Sequence, residues 1–174
     1  EKSVRDVYNA MLLEAQRRGH RLHYVQPGGL SLRDGLATAQ AAPLAVKDDK
    51  AGWFTLGGTA ALAFGPGQVV LMRKDPPFDS EFFYATHLLE QAEREDAKVL
   101  NRPSALREHP EKLAIMEFPE FIGPTLVTRD AQEIRAFHAE HQDIILKPLD
   151  GMGGMGIFRV GPDGRNLGSI IETL

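Results

Sequence analysis

Apolar residues recur at three- and four-residue spacing from the first positions of the chain. Val4, Val7, Tyr8, Met11, Leu12 and Ala15 predict a helix, with Gly19 as its C′ residue. Leu22–Val25 reads as a short strand that Pro27-Gly28-Gly29 should halt. The pattern weakens as far as Gly67, with hairpin strands expected near Leu30–Leu32, Ala42–Val46 and Trp53–Leu56. Val69-Val70-Leu71-Met72 is a continuous apolar run, which suits a parallel strand covered on both faces. A charged, proline-bearing segment then leads to a helix with Asp79 as N-cap and Glu81 in its first turn, carrying Phe82, Phe83, Thr86, Leu89 and Ala92. Lys98–Asn101 predicts the next strand. Strand, loop, helix and strand make a βαβ rhythm, so the first hundred residues predict a small open α/β sheet domain.

After Pro103 the pattern changes. Short helical pieces are expected at Ser104–Glu108 and Glu111–Met116, then a break at Phe118-Pro119 and a strand at Thr125–Thr128. Asp130 with Glu133 makes a capping-box-like start for a helix bearing Ile134, Phe137 and His141. Ile144–Lys147 and Gly156–Val160 predict two strands flanking a glycine-rich loop. Pro162-Asp163-Gly164 marks a turn, and Gly168–Leu174 opens a further element. The expected organisation is α/β, with a change of character after Pro103.

Composition narrows the function classes. The chain has 174 residues, and 20 Lys+Arg against 24 Asp+Glu give a net charge of −4. Such a balance offers no electrostatic reason to bind nucleic acid or an anionic membrane. The absence of cysteine excludes disulfides, Cys-ligated zinc and a thiol nucleophile. No run approaches the ~18–20 apolar residues of a membrane helix. The chain opens Glu1-Lys2-Ser3 with no signal-peptide pattern, so a cytoplasmic protein is the expectation.

Glycine is the informative residue. Of 17, most punctuate turns, but four crowd into Lys147-Pro148-Leu149-Asp150-Gly151-Met152-Gly153-Gly154-Met155-Gly156. Glycines let backbone N–H groups approach phosphate oxygens and form anion-binding nests, and a lysine at the strand end adds a point charge. The P-loop signature is absent, and the loop leads to a strand, which also excludes a dinucleotide fingerprint. A hairpin without a ligand is the plain alternative. Lys112, on a short helical piece, reads by itself as solvated surface. Arg73-Lys74-Asp75-Pro76-Pro77-Phe78-Asp79 follows a strand, where open α/β sheets bind ligands, and its basic pair suits a carboxylate. Asn101-Arg102-Pro103-Ser104 reads as a loop with a capped helix. His20, His23, His138 and His141 lack an accompanying carboxylate set, and surface placement is expected for them.

Taken in order, Met11–His20, Leu71–Asp79, Asn101–Arg107, Glu111-Lys112-Leu113 and Ile144–Phe158 resemble bacterial glutathione synthetase, an ATP-grasp ligase. The Arg-Lys-Asp-Pro-Pro-Phe-Asp and Lys-Pro-Leu-Asp-Gly-Met-Gly-Gly runs carry most of that likeness. The resemblance implies an open α/β sheet (pre-ATP-grasp) domain over 1–109, an incomplete α+β ATP-grasp domain over 110–174, and ATP-dependent joining of γ-glutamylcysteine to glycine through an acyl phosphate. It implies Lys112 and Lys147 as nucleotide-binding lysines, and Gly151, Met152, Gly153, Gly154, Met155 and Gly156 as the lid over the phosphates. Arg73, Asp75, Asn101 and Ser104 become candidates for the peptide substrate. It also implies Mg2+, with ligands beyond Leu174, a homo-oligomer, and a chain that is an inactive piece of a longer enzyme. Pro110 departs from the polar residue expected before Glu111-Lys112. Another ATP-grasp carboxylate–amine ligase and a non-catalytic nucleotide-binding module are the competing readings.

Overall fold

A computed structural model describes residues 2–49, 51–74, 77–151 and 153–174, with side chains from Tyr8 onward. The chain divides into two units, Glu1–Arg73 with Tyr84–Ser104, and Lys74–Phe83 with Ala105–Leu174.

Helix α1 (Lys2–Arg17) stops where glycine allows it to. Gly19 has φ +81°, its N–H bonds Gln16 O at 2.9 Å, and the His20 N–H reaches back to Ala15 O at 3.1 Å. These paired bonds are those of a Schellman cap. One turn earlier, Gln16 donates to Val46 O at 2.8 Å and accepts from the Val46 N–H at 2.9 Å, so its amide acts as a one-residue strand partner.

Strands β1 (Leu22–Arg33) and β2 (Leu36–Val46) form one long antiparallel hairpin. The stop expected at Pro27-Gly28-Gly29 does not occur. Between Val25 and Leu30 the register slips, five steps on β1 facing two on β2, so the Pro-Gly-Gly segment is absorbed as a bulge while the ladder resumes. Gly29 lies so close to the Gln40 carbonyl that a Cβ would sit 3.1 Å from it. The hairpin closes at Asp34-Gly35, both left-handed at φ +53° and +82°, in the two-residue geometry that matches strand twist. Strands β3 (Phe54–Leu56) and β4 (Ala60–Ala63) pair with the other edge of β2, which puts β2 at the centre of a four-stranded sheet. Ala37, Ala39 and Ala41 alternate into the core from it.

Strands β5 (Val69–Leu71) and β6 (Lys98–Leu100) are parallel and joined through α2 (Ser80–Arg94), as the βαβ rhythm requires. Burial on both faces of β5 is not found. Val99 is buried, but Val69, Leu71 and Leu100 are exposed, because the two-stranded sheet is packed on one side only. The carboxylate of Asp79 caps α2 by accepting the Phe82 N–H at 2.8 Å. The helix buries Phe82, Ala85, Thr86, Leu89 and Ala92. At its C-terminal end Ala92 meets Ala37 and Ala97, Glu95 accepts the Ala37 N–H at 2.8 Å, and Gln91 donates to Gly35 O at 3.0 Å. Small residues at this contact let helix and hairpin approach closely enough for those bonds.

Past α3 (Pro103–Glu108), the helix expected at Glu111–Met116 is a turn followed by 3₁₀ turns at Ala114–Glu117 and Pro119–Phe121. No ladder forms at Thr125–Thr128. Thr128 instead serves the next helix, α4 (Ala131–His141). Asp130 accepts the Gln132 and Glu133 N–H groups, while the Thr128 hydroxyl accepts the Asp130 N–H at 3.0 Å and donates to Glu133. The capping box is therefore closed through a third residue.

Strands β7 (Ile144–Leu146) and β8 (Phe158–Val160) form an antiparallel hairpin. Ile134 and Phe137 of α4, with Leu167, Ile170 and Ile171 of α5 (Leu167–Thr173), pack against Ile144, Leu146, Phe158 and Val160. Asp143 and Arg159 lock the hairpin's open end with two bonds of 2.6 and 2.9 Å. His138 corrects the surface expectation. It is buried, with Nε2 2.8 Å from Gly161 O, because the inner face of α4 meets the turn after β8. His141 is half-buried against the Phe137 ring, whereas His20 and His23 are exposed.

Candidate functional site

The β7–β8 hairpin presents its loop, residues 147–157, beyond the packed end of the strands. Lys147 follows β7 directly, and the residue before a proline is restricted to extended backbone, so Pro148 prolongs the strand direction by one residue. Gly153, Gly154 and Gly156 all have left-handed backbone, at φ +62°, +81° and +70°. Side-chain residues adopt such angles at a cost, which is the local reason for the glycines. The consecutive left-handed residues 153 and 154 make the tight turn at the tip of the loop, where no side chain screens the backbone. Met152 lies outside the described residues.

Lys112 is not the solvated surface residue that its sequence context alone indicates. Its side chain is 15% exposed and its Nζ donates to Gly151 O at 2.5 Å. The turn at 111–113, which stands where a helix is expected, carries this lysine to the loop. Lys112, Lys147, Gly151, Gly153, Gly154 and Met155 line one cleft of 260 Å³, together with Glu111, Ile115 and Ile157. Gly156 lies at the loop's return. The cleft thus joins two ammonium groups, glycine backbone and three apolar side chains against one exposed carboxylate. Lys147 makes no hydrogen bond or ion pair among the described residues. A multiply charged anion carrying an apolar group fits this lining, because both lysines can neutralise phosphate charge and glycine lets the backbone approach it closely. The nucleotide reading therefore agrees with the residues present. Among the described residues no group of three or more His, Cys, Asp or Glu side chains could hold a metal ion.

The remaining candidates form a second group. Leu71 and Leu100 are register partners in β5 and β6, and the Met72 N–H bonds Leu100 O at 2.9 Å. Arg73 and Asn101 therefore leave the carboxyl ends of two adjacent parallel strands, where open sheets bind ligands. Both are exposed, and Ser104 is half-buried in the first turn of α3. Asp75 lies outside the described residues. The Arg73 guanidinium lies over the Tyr8 ring, 5.2 Å from its centroid. In the sequence Tyr8 reads only as an apolar residue of α1, and nothing local to it signals the stacking. Pro148 is visible there as a Lys-Pro step at a strand end, without a sign of what its ring touches.

Comparison with known proteins gives a consistent answer. Residues 2–107 match the family model for the prokaryotic glutathione synthetase N-terminal domain, and residues 111–174 match that for the prokaryotic glutathione synthetase ATP-grasp domain. A glutathione synthetase of Xanthomonas axonopodis pv. citri is 61% identical over 173 residues, which is 99% of this chain and 55% of the relative. One from Yersinia pestis is 54% identical over 170 residues, 98% of this chain and 53% of the relative. One from Ralstonia nicotianae is 52% identical over 173 residues, again 99% and 53%. The chain spans about half the length of the curated relatives it matches. Among the described residues no helix is long and apolar enough to cross a membrane.

Proposed function

Since the chain belongs to the prokaryotic glutathione synthetase family, we propose that the whole protein joins γ-glutamylcysteine to glycine at the expense of ATP. The observation that supports this most directly is the cleft shared by Lys112, Lys147 and the glycine loop. A carboxylate is a poor electrophile, so one of its oxygens must become part of a leaving group. In the proposed reaction the cysteinyl carboxylate oxygen attacks the γ-phosphorus and ADP leaves. The glycine amine then attacks the acyl carbon, loses a proton, and phosphate departs.

Lys112 and Lys147 bind the nucleotide and neutralise charge on it, which is most of what phosphoryl transfer asks of a protein. The loop from Gly151 to Gly156 forms the lid over the phosphates and excludes water from the acyl phosphate. Arg73, Asp75, Asn101 and Ser104 hold the dipeptide, Arg73 through its carboxylates. Magnesium, when bound, would add neutralisation of phosphate charge, and none of the described residues is assigned to hold it. A cytoplasmic homo-oligomer is part of the same proposal, and family membership is what supports it.

The test is glutathione formation by the whole protein with γ-glutamylcysteine, glycine and Mg-ATP. No ATP-dependent product would sink the proposal. Lys147→Ala should weaken ATP binding by about 1–3 kcal/mol, the worth of a charge-assisted contact. Unchanged affinity by calorimetry would remove Lys147 from the site.

A further inference from the structure

The glycines of the loop are of two kinds. At Gly153 and Gly154 nothing lies within 4 Å of where a Cβ would stand, and only the left-handed backbone asks for glycine. Gly151 is the reverse. Its backbone is not left-handed, but a Cβ there would come 2.8 Å from Pro148 Cγ and 3.3 Å from Met155 O. At Gly156 a Cβ would come 3.1 and 3.4 Å from Cγ and Cδ of the same ring. One pyrrolidine ring therefore fills the space between the outgoing and returning ends of the loop. On its other side Gly151 is held by the Lys112 ammonium through its carbonyl.

We propose that Pro148 is a positioning residue for the phosphate loop: its ring and Lys112 together fix Gly151, and Gly153 and Gly154 are left as the segment that moves over a bound nucleotide. The inference rests on the ATP-site reading given above. A rigid ring is suited to the task because it adds no rotamer freedom that must be lost when the loop closes. The same proline restricts the backbone of Lys147, so the cation and the loop are set by one residue.

The experiment is a pair of double-mutant cycles in the whole protein. The readouts are the Kd of a non-hydrolysable Mg-ATP analogue, ADP released per glutathione formed, and the melting temperature. Gly151→Ala should raise Kd about ten-fold or more, the consequence of overpacking against the ring. Pro148→Ala should raise it a few-fold, roughly, by loosening the loop. Because alanine at 148 removes the clashing Cγ and leaves only the 3.3 Å approach to Met155 O, the Gly151→Ala/Pro148→Ala double variant should lose much less affinity than the product of the two single losses. Gly154→Ala is strained by its backbone and not by the ring, so its loss should multiply with that of Pro148→Ala.

A loosened loop also admits water, which attacks the acyl carbon in place of the amine and returns the dipeptide with release of phosphate. ADP per glutathione should therefore rise in Gly151→Ala and Pro148→Ala, a change that a fall in global stability does not produce. Multiplying losses at 151 and 148, or a Pro148→Ala protein unchanged in Kd and in ADP per product, would overturn the proposal. If Gly151→Ala does not fold, the Pro148→Ala measurements decide alone. A wild-type protein that does not bind the analogue would reject the ATP reading itself, a result distinct from normal binding without coupling.

Discussion

At Tyr8 an aromatic ring and a guanidinium meet 5.2 Å apart, and Arg73 is thereby held at the carboxyl end of β5. Such a stack is worth about 0.5–1 kcal/mol at an exposed site, which is roughly a two- to five-fold effect on an equilibrium. If Arg73 binds the dipeptide, Tyr8→Ala should raise its KM by about that factor with kcat little changed, and Tyr8→Phe should retain wild-type behaviour. Steady-state kinetics with γ-glutamylcysteine varied would show it; equal effects of Ala and Phe would dismiss the stacking role. The same scale shows what sequence can and cannot reveal. Lys147 and the glycines are legible because the backbone demands are local and leave their mark as residue type. From its own surroundings Lys112 is not, because its partner, Gly151 O, lies 39 residues away and a lysine on a polar turn looks the same whether solvated or engaged, so that only the family resemblance points to it.

Elements are held at their ends by pairings that are partly readable. Asp130 is a plain N-cap, and its replacement by alanine should cost about 1 kcal/mol in urea denaturation; unchanged stability would show that the bonds it accepts from Gln132 and Glu133 carry no net weight. The role of Thr128 could not be read, since a β-branched run at 125–128 favours a strand and only the lack of a neighbouring strand overrules it. The turn at Asp34-Gly35 was legible in principle, because Asp-Gly between apolar runs is a hairpin signal. The prolonged β1 was not, because the bulge at Pro27 depends on β2 opposite it.

The segment that carries Lys112 is closed by a pair at its two ends, His109 Nδ1 and Glu117 Oε1, 2.5 Å apart. The Glu117 carboxylate, through this hydrogen bond and its charge, holds the imidazolium of His109 above the ordinary value of 6.5, with Glu108 adding a smaller push. A raised value means that the pair's contribution is full below pH 6.5 and is lost as pH rises through the raised value. In an NMR titration Glu117→Gln should bring the His109 pKa back toward 6.5 and flatten the alkaline-side slope of the melting temperature. A His109 titration that does not move with Glu117 would refute the pairing.

At the scale of the whole molecule, the described residues include two buried clusters, one in each of the two units. Ala37, Ala92 and Ala97 cluster in the first, and Ile144, Val160, Leu167 and Ile170 in the second. The second is the platform from which the Lys147 loop leaves, so its packing bears on the site more than its small size indicates. Ile144 is 7% exposed and pairs with Val160 across the hairpin. Truncation there removes buried methyl groups from a cluster of few members, so Ile144→Ala should cost about 2–5 kcal/mol. Leu89, 1% exposed on α2, should cost a similar ~2–5 kcal/mol on truncation to alanine. The two changes are separable by where protection is lost. Native-state hydrogen exchange of Ile144→Ala should show faster exchange in α4, β7, β8 and α5 while the β1–β2 ladder keeps its protection, and Leu89→Ala should show the opposite pattern. Uniform acceleration along the chain in both variants would mean that one cooperative unit spans the molecule, and the glycine loop would then draw its rigidity from the whole chain instead of from the small core beneath it.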